Sequence, residues 1–219
     1  NMRGVVKGTF PDFIPKTDET RVQNLKRVLT RYTGTRCYVT EKIDGTSVTY
    51  YVKDGVFGVC SRNQELQESE DNLYWKIATG HGIEEKLRSL NKNIAIQGEI
   101  FGAGVQGNPL MMPSVQVKFF NVFDIDSFSY YSLNEAFQII HDIHLDFVPI
   151  VDSEFILHDD IDKIVEYSIG KSVINPKKWR EGVVIRPLVE RLDLEMSKGL
   201  NNARLSFKAI NPEYLLVTE

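Results

Sequence analysis

Several short segments place ionisable or aromatic groups where a strand should be apolar. Lys42-Ile43-Asp44-Gly45 ends an extended run, Cys37–Glu41, and is followed by a second, Thr46–Val52. A lysine at a strand end, with an acid two residues on and then a glycine, suits an amine held close to a ligand. Alone, the four residues fit a solvated hairpin turn equally well. Further along, Ser61-Arg62-Asn63 closes a third extended run, Gly98-Glu99 interrupts Ile94–Phe101, and Phe123-Asp124 interrupts Val117–Ile125. Glu181-Gly182-Val183-Val184-Ile185-Arg186 and Ser206-Phe207-Lys208 complete the set. A buried charge costs several kcal/mol unless it is paired. One such strand reads as an ion pair; five in one chain, beyond that of Lys42, point to a shared polar cleft walled by sheet.

The elements that must position these groups follow from patterning. Thr17-Asp18-Glu19-Thr20 predicts a helix start, with Val22, Leu25, Val28 and Leu29 as its apolar stripe. Residues 37–41, 46–53 and 56–61 predict a meander that turns at Lys53-Asp54-Gly55. Helices are expected near 70–79, 82–90, 133–144 and 159–169. Strands are expected at 94–101, 117–125, 182–187 and 204–210. Strands and helices interleave without a regular βαβ rhythm, so the fold class is α+β with largely antiparallel sheets. With no internal repeat and no low-complexity linker, residues 1–219 read as a single domain.

Net charge of −4 and a pI of about 5.7 exclude a protein that coats nucleic acid by charge alone, though not one with a local basic groove. No run is long and uncharged enough to span a bilayer, and the first residues lack a signal-peptide core, so an intracellular, cytoplasmic location and no membrane partner are expected. In that compartment Cys37 and Cys60 are expected as buried, reduced thiols. Gly102-Ala103-Gly104-Val105-Gln106-Gly107 has neither the ending of a phosphate-binding P-loop nor dinucleotide spacing, and reads as a flexible loop near the cleft. His141 and His144 lack a third ligand at metal-binding spacing and read as exposed helix residues.

In order, K-x-D-G, S-R-N, G-E, F-D, E-G-V-V-I-R and S-F-K resemble the covalent nucleotidyltransferase superfamily of polynucleotide ligases and mRNA capping enzymes. Phe10 to Arg21 also looks family-like, so the resemblance covers nearly the whole chain. Glu41, Thr46-Ser47 and Asn211-Pro212-Glu213-Tyr214-Leu215 resemble the nick-sealing, ATP-dependent RNA ligase branch. The resemblance implies an α+β nucleotidyltransferase (ATP-grasp-like) domain whose antiparallel sheets, flanked by helices, wall an ATP cleft. It also implies the partners: ATP, and nicked or broken RNA with 5′-phosphate and 3′-hydroxyl ends, acted on by a monomer.

Forming a lysyl–nucleotide bond needs an unprotonated amine, and a free lysine near pKa 10.4 is seldom neutral at pH 7. Lys42 is the candidate nucleophile; Lys208 and a divalent metal are cations that would favour its neutral form. Lys208 would also stabilise charge on the α-phosphate. Glu181 is the candidate metal ligand, direct or through water, for Mg²⁺ with Mn²⁺ as an alternative. By resemblance, Glu99 would bind a ribose hydroxyl, Arg62 the nucleotide sugar or acceptor phosphate, and Arg186 the α-phosphate side. Phe123 would stack on adenine, with Phe120 in its place if the register differs. Glu41 would accept from the adenine amino group, and Lys16 would reach the leaving pyrophosphate. Asp44 is expected to orient the turn or a neighbouring cation.

The chain departs from the family pattern at Ser206, where many relatives carry a lysine; Arg204 is the candidate substitute. Two expectations stand side by side: an accessory domain of the oligonucleotide-binding barrel type upstream of this sequence, or a minimal ligase. The rival readings are a capping guanylyltransferase, a DNA ligase adenylation domain, and a nucleotide- or RNA-binding module without turnover.

Overall fold

The computed structural model describes residues 3–196 and 203–218. In chain order the strands are β1 (Val6–Thr9), β2 (Thr20–Arg21), β3 (Arg36–Lys42), β4 (Thr46–Lys53), β5 (Val56–Cys60), β6 (Gln64–Leu66), β7 (Ile94–Gly102), β8 (Val115–Asp124), β9 (Ser129–Tyr130), β10 (Ile150–Ile156), β11 (Gly182–Pro187) and β12 (Phe207–Ile210). The helices are α1 (Lys26–Arg31), α2 (Leu73–Gly80), α3 (Ile83–Arg88), α4 (Leu133–Asp142), α5 (Ile161–Tyr167) and α6 (Pro212–Thr218). The chain divides into two compact units. The first holds Asn1–Thr17, Gly45–Gln106 and Pro113–Phe147; the second holds Asp18–Asp44, Gly107–Met112 and Val148–Glu219. Among the described residues no helix is long and apolar enough to cross a membrane.

The first unit is built on a seven-stranded sheet in the order β1-β6-β5-β4-β7-β8-β9, with every pairing antiparallel. Strand alternation sends Val48, Tyr50 and Val52 of β4 to one face, where they meet Tyr74 and Ile77 of α2, Ile83 and Leu87 of α3, and Ala136 and Ile140 of α4. On the other face a smaller cluster joins Tyr51, Ala95 and Phe123 to Ile14. Burial on both faces explains why β4 is buried without a break from Val48 to Val52 rather than alternating.

The second unit holds a five-stranded sheet, β10-β3-β11-β12-β2, antiparallel except where β12 pairs with β2. Cys37, Val39, Val183, Ile185, Phe207 and Ala209 line one face and pack against Val22, Val28 and Leu29.

Two expectations from the sequence are corrected. The apolar stripe from Val22 does not begin a helix at Thr17: Thr20 and Arg21 pair with β12, Val22–Asn24 form a 3-10 turn, and α1 starts at Lys26. The run at 37–41 does not share a meander with 46–53, because β3 and β4 belong to different sheets. Lys42-Ile43-Asp44-Gly45 is therefore no hairpin turn. The sequence pattern does not predict β10 or α6, although Asn211 before Pro212 has the form of a helix start: its Oδ1 accepts from the Glu213 amide at 2.9 Å.

Candidate active site

In the second unit the strand register brings the reactive candidates together. Lys42 pairs with Gly182, and Val184 pairs with both Thr40 and Lys208. Counting in twos from these pairs puts Lys42, Lys208 and Arg186 on one face of the sheet, opposite the apolar face. Gly182 is required here because a Cβ would lie 2.2 Å from the Ala209 carbonyl oxygen. Glu181 stands at the entrance to β11, where its backbone carbonyl accepts from the Asn211 amide at 2.9 Å. Its Oε2 accepts a hydrogen bond from Lys42 Nζ at 3.1 Å, with both side chains partly exposed.

Burial, then the charges of Lys42 and Arg21, holds the Lys208 ammonium below the ordinary lysine range; Glu181 and Glu19 act in the opposite direction. Arg21, paired in register with Lys208, is a third cation at this site. The sequence pattern gives it no role, because a two-residue strand leaves no periodicity.

Asp44 accepts a hydrogen bond from the Tyr214 hydroxyl, whose own ionisation is pushed up by burial and by that carboxylate. Asn211 Nδ2 donates to the Arg180 carbonyl at 3.0 Å. The Asn211-Pro212-Glu213-Tyr214 segment thus ties the residues leading into β11 and the Lys42-Ile43-Asp44 segment to α6.

Three other predicted groups occupy different surroundings. Glu41 alternates to the apolar side of β3 and is 2% exposed; it accepts from the Val173 amide at 2.6 Å and the Ser172 hydroxyl at 2.7 Å. Arg186 is also 2% exposed. Its Nε donates to Ser206 Oγ and its Nη2 to Glu19 Oε1, each at 2.9 Å. Arg204 is buried and paired with Glu190, so its charge is committed there and it does not stand in for a phosphate-binding lysine. Ser206 is the neutral partner of a buried guanidinium, which accounts for its place in the motif.

The first unit carries the remaining candidates. Glu99 on β7 lies in register with Ser47 of β4 and Lys118 of β8. Pro15–Thr17 runs across that face: the Pro15 carbonyl accepts from Gln97 Nε2 at 2.8 Å, and the Thr17 and Ser47 hydroxyls are 2.7 Å apart. Lys16 Nζ donates to Asn63 Oδ1 at 3.2 Å. Arg62 is exposed on the turn between β5 and β6 and lines a cleft of about 730 Å³ with Thr46, Asn63, Tyr74 and Gln106. Gly104 and Val105 line it too; Val105 is 5% exposed within the core, which pins the loop that the sequence reads as flexible.

Phe123 is fully buried, with Phe128 and Tyr130 edge-on at 5.1 and 5.0 Å between ring centroids. Neither face of such a ring is open to a base. A β-bulge in the β7–β8 pairing, where Gln97 meets Asn121 but Gly98 meets Phe119, leaves Phe120 as the extra residue, and Phe120 is partly exposed. Gly98 serves the bulge: a Cβ there would sit 2.4 Å from the Lys118 carbonyl oxygen. His141 is exposed on α4 as expected; His144 is exposed too but lies beyond the end of that helix at Asp142, and both cysteines are buried and free, as expected.

Comparison with known proteins gives these positions a context. The family model described as RNA ligase matches residues 35–210. The RNA ligase of Naegleria gruberi, solved as a lysine-to-methionine mutant with AMP and Mn, superposes with a TM-score of 0.88 at 35% identity, covering 99% of this chain and 62% of that one. A lysine-to-alanine mutant of that ligase with ATP and Mn aligns at 34% identity and a TM-score of 0.89, covering 100% and 61%. Its complex with PPi aligns at 35% identity and a TM-score of 0.88, covering 99% and 61%. The chain thus spans about three-fifths of the length of these structures. A search of curated proteins finds no match. With the family model spanning most of the sequence, and with the nucleophile candidate and its partners on adjoining strands inside that span, the chain belongs to the RNA ligase family.

Proposed function

We propose that this chain is the adenylyltransferase domain of an ATP-dependent RNA ligase. The observation that carries the reading is the Lys42–Glu181 contact beside Lys208, whose burial and cationic neighbours lower its affinity for a proton. In the first step Lys42 Nζ attacks the α-phosphorus of ATP; the N–P bond forms as the bond to pyrophosphate breaks, leaving lysyl-AMP. In the second, an RNA 5′-phosphate oxygen attacks the same phosphorus and Lys42 leaves. In the third, an RNA 3′-hydroxyl attacks the 5′-phosphate and AMP departs.

Glu181 accepts from the Lys42 ammonium and holds it in place before the amine is freed of its proton. Lys208 meets the charge that develops on the α-phosphate. Asp44, held by Tyr214, fixes the backbone on which Lys42 rides. Glu99 is assigned to a ribose hydroxyl, Arg62 to the sugar or acceptor phosphate, and Lys16 to pyrophosphate. Stacking on adenine is assigned to Phe120 in place of Phe123, because Phe120 is partly exposed and Phe123 is fully buried. Glu41 and Arg186 act through positioning, the first by holding residues 172 and 173, the second by joining Ser206 to Glu19.

Mg²⁺ or Mn²⁺ fits this donor set. A hard cation of this kind binds through one or two carboxylates with substrate phosphates and water. Glu181 supplies a partly exposed carboxylate, and among the described residues no group of three His, Cys, Asp or Glu side chains forms a closed cage. When bound, the metal would neutralise phosphate charge.

The test is incubation with α-labelled ATP or GTP and magnesium, followed by denaturing electrophoresis. ATP is expected to label the chain and GTP not; no label, or undiminished label in Lys42→Ala, contradicts the reading. Sealing of a nick with RNA at the 3′-hydroxyl side, compared with an all-DNA nick, then separates RNA from DNA ligase.

A further inference from the structure

The segment from Gly170 to Arg180 carries Lys171, Lys177, Lys178 and Arg180 and no acid, in a chain whose net charge is −4. We infer that this hairpin is a docking surface for the phosphate backbone of RNA, an inference that rests on the RNA ligase reading above.

The hairpin is a built structure. Lys171 and Trp179 form an antiparallel bridge, the Arg180 amide donates to the Gly170 carbonyl at 3.0 Å, and the Ser172 amide donates to the Lys178 carbonyl at 2.9 Å. At the tip the Lys178 amide donates to the Asn175 carbonyl at 2.9 Å, and Ser172 Oγ accepts from the amides of Ile174 and Asn175. Asn175 Nδ2 anchors the tip to the Leu110 carbonyl at 2.8 Å. At the base, Arg180 Nε and Nη2 donate to the Ser168 and Tyr167 carbonyls at 2.9 Å, so this guanidinium is used internally. The carboxylate of Glu41 holds Ser172 and Val173. The hairpin is therefore fixed to β3, one residue from Lys42.

This scaffold presents three ammonium groups and an indole. Lys171 and Lys177 are exposed, Lys178 and Trp179 half-buried. Lys171 Nζ lies 3.7 Å from the centre of the Trp179 ring. Among the described residues none of the three lysines forms a salt bridge. Like charges gathered on a rigid hairpin that has no acid in its own sequence repel one another, and an incoming polyanion removes that repulsion. Lysines clustered beside an aromatic ring are a combination that tracks a nucleic-acid backbone.

The test is fluorescence anisotropy of a labelled, nicked RNA duplex bearing a 5′-phosphate at the nick, titrated with the chain at several salt concentrations. The variant combines Lys171→Ala, Lys177→Ala and Lys178→Ala. It is expected to bind on the order of 10-fold more weakly at low salt, with a logarithmic salt slope shallower by about three. Lysyl-AMP formation from ATP is expected to be unchanged, since none of the three touches the Lys42 site. Unchanged affinity and slope in a variant that still self-adenylylates would overturn this inference alone. Absence of adenylylation in the wild type would instead overturn the ligase reading. Polyglutamate competing as well as RNA at equal charge would identify an acidic protein as the occupant and overturn the RNA assignment.

Discussion

The two ends of β11 carry charges that the sequence motif treats alike and the structure treats differently. At Glu181 the carboxylate is partly exposed and holds Lys42 beside a lysine that binds its proton weakly. At Arg186 the guanidinium is sealed between Glu19 and Ser206. Both Arg186 and Lys42 project from the same face, so strand alternation does not distinguish them. Access to solvent and the identity of the partner do. Glu181 and Lys208 keep part of their side chains exposed, whereas Arg186 is occupied by protein groups.

Substitutions can break this contrast. The largest expected effect is at the open end: Lys42→Ala abolishes lysyl-AMP formation, and Lys208→Met lowers its rate by at least about 100-fold, the scale of losing a charge-stabilising donor. Lys208→Met is also expected to be thermally stabilising. The folded-state pKa of Lys208 lies below its unfolded value, so its protonated form opposes folding. That penalty is full below the folded-state pKa and fades as pH rises through it. Melting curves of the variant and wild type should therefore differ near neutral pH and converge in alkali. A variant less stable than wild type at neutral pH contradicts the assigned direction.

The sealed end should respond in the opposite way. Arg186→Met leaves Glu19 without its buried partner and is expected to cost about 3–5 kcal/mol of stability, read by denaturant unfolding. Any activity of the folded fraction should fall less than in Lys208→Met. Normal stability with no adenylylation would return Arg186 to the phosphate.

A smaller effect is expected where the catalytic segment meets its support. Tyr214→Phe removes one hydrogen bond to a carboxylate, worth about 1.5–3 kcal/mol, so the adenylylation rate should drop roughly 10- to 100-fold. Because the role is positioning, the loss should appear in kcat more than in the KM for ATP.

The smallest effect separates the two aromatic positions on β8. Phe120→Leu is expected to raise the KM for ATP a few-fold with little change in stability. Phe123→Ala, by contrast, opens a cavity and costs about 3–5 kcal/mol. A KM change confined to Phe123→Ala reverses the stacking assignment.

Much of this is legible in the sequence, and the misses have physical causes. Lys42, Glu181 and Lys208 are visible because charges in otherwise apolar strands need partners, and the register brings these three together. Glu41 and Arg186 carry the same signal, but a buried structural charge and a ligand-binding charge look identical along a strand. The resemblance points to Phe123, with Phe120 in its place if the register differs, and the sequence does not show the bulge between Gln97 and Gly98 that sets that register. The division of β3 and β4 between two sheets is hidden because only Ile43-Asp44-Gly45 separates them, a spacing that ordinarily marks a hairpin. Tyr214 lies within a segment marked by its resemblance, but its contact with Asp44 spans most of the chain and has no local signature.

The central claim is that the open end of this sheet carries the reacting amine. It is tested most directly by incubating the chain with ATP and magnesium or manganese, digesting it, and locating the adenylate by tandem mass spectrometry. The account predicts AMP on the peptide containing Lys42, attached through an acid-labile phosphoramidate and absent from Glu181→Ala. Adenylate on Lys16 or Lys208, or none with either metal, contradicts it.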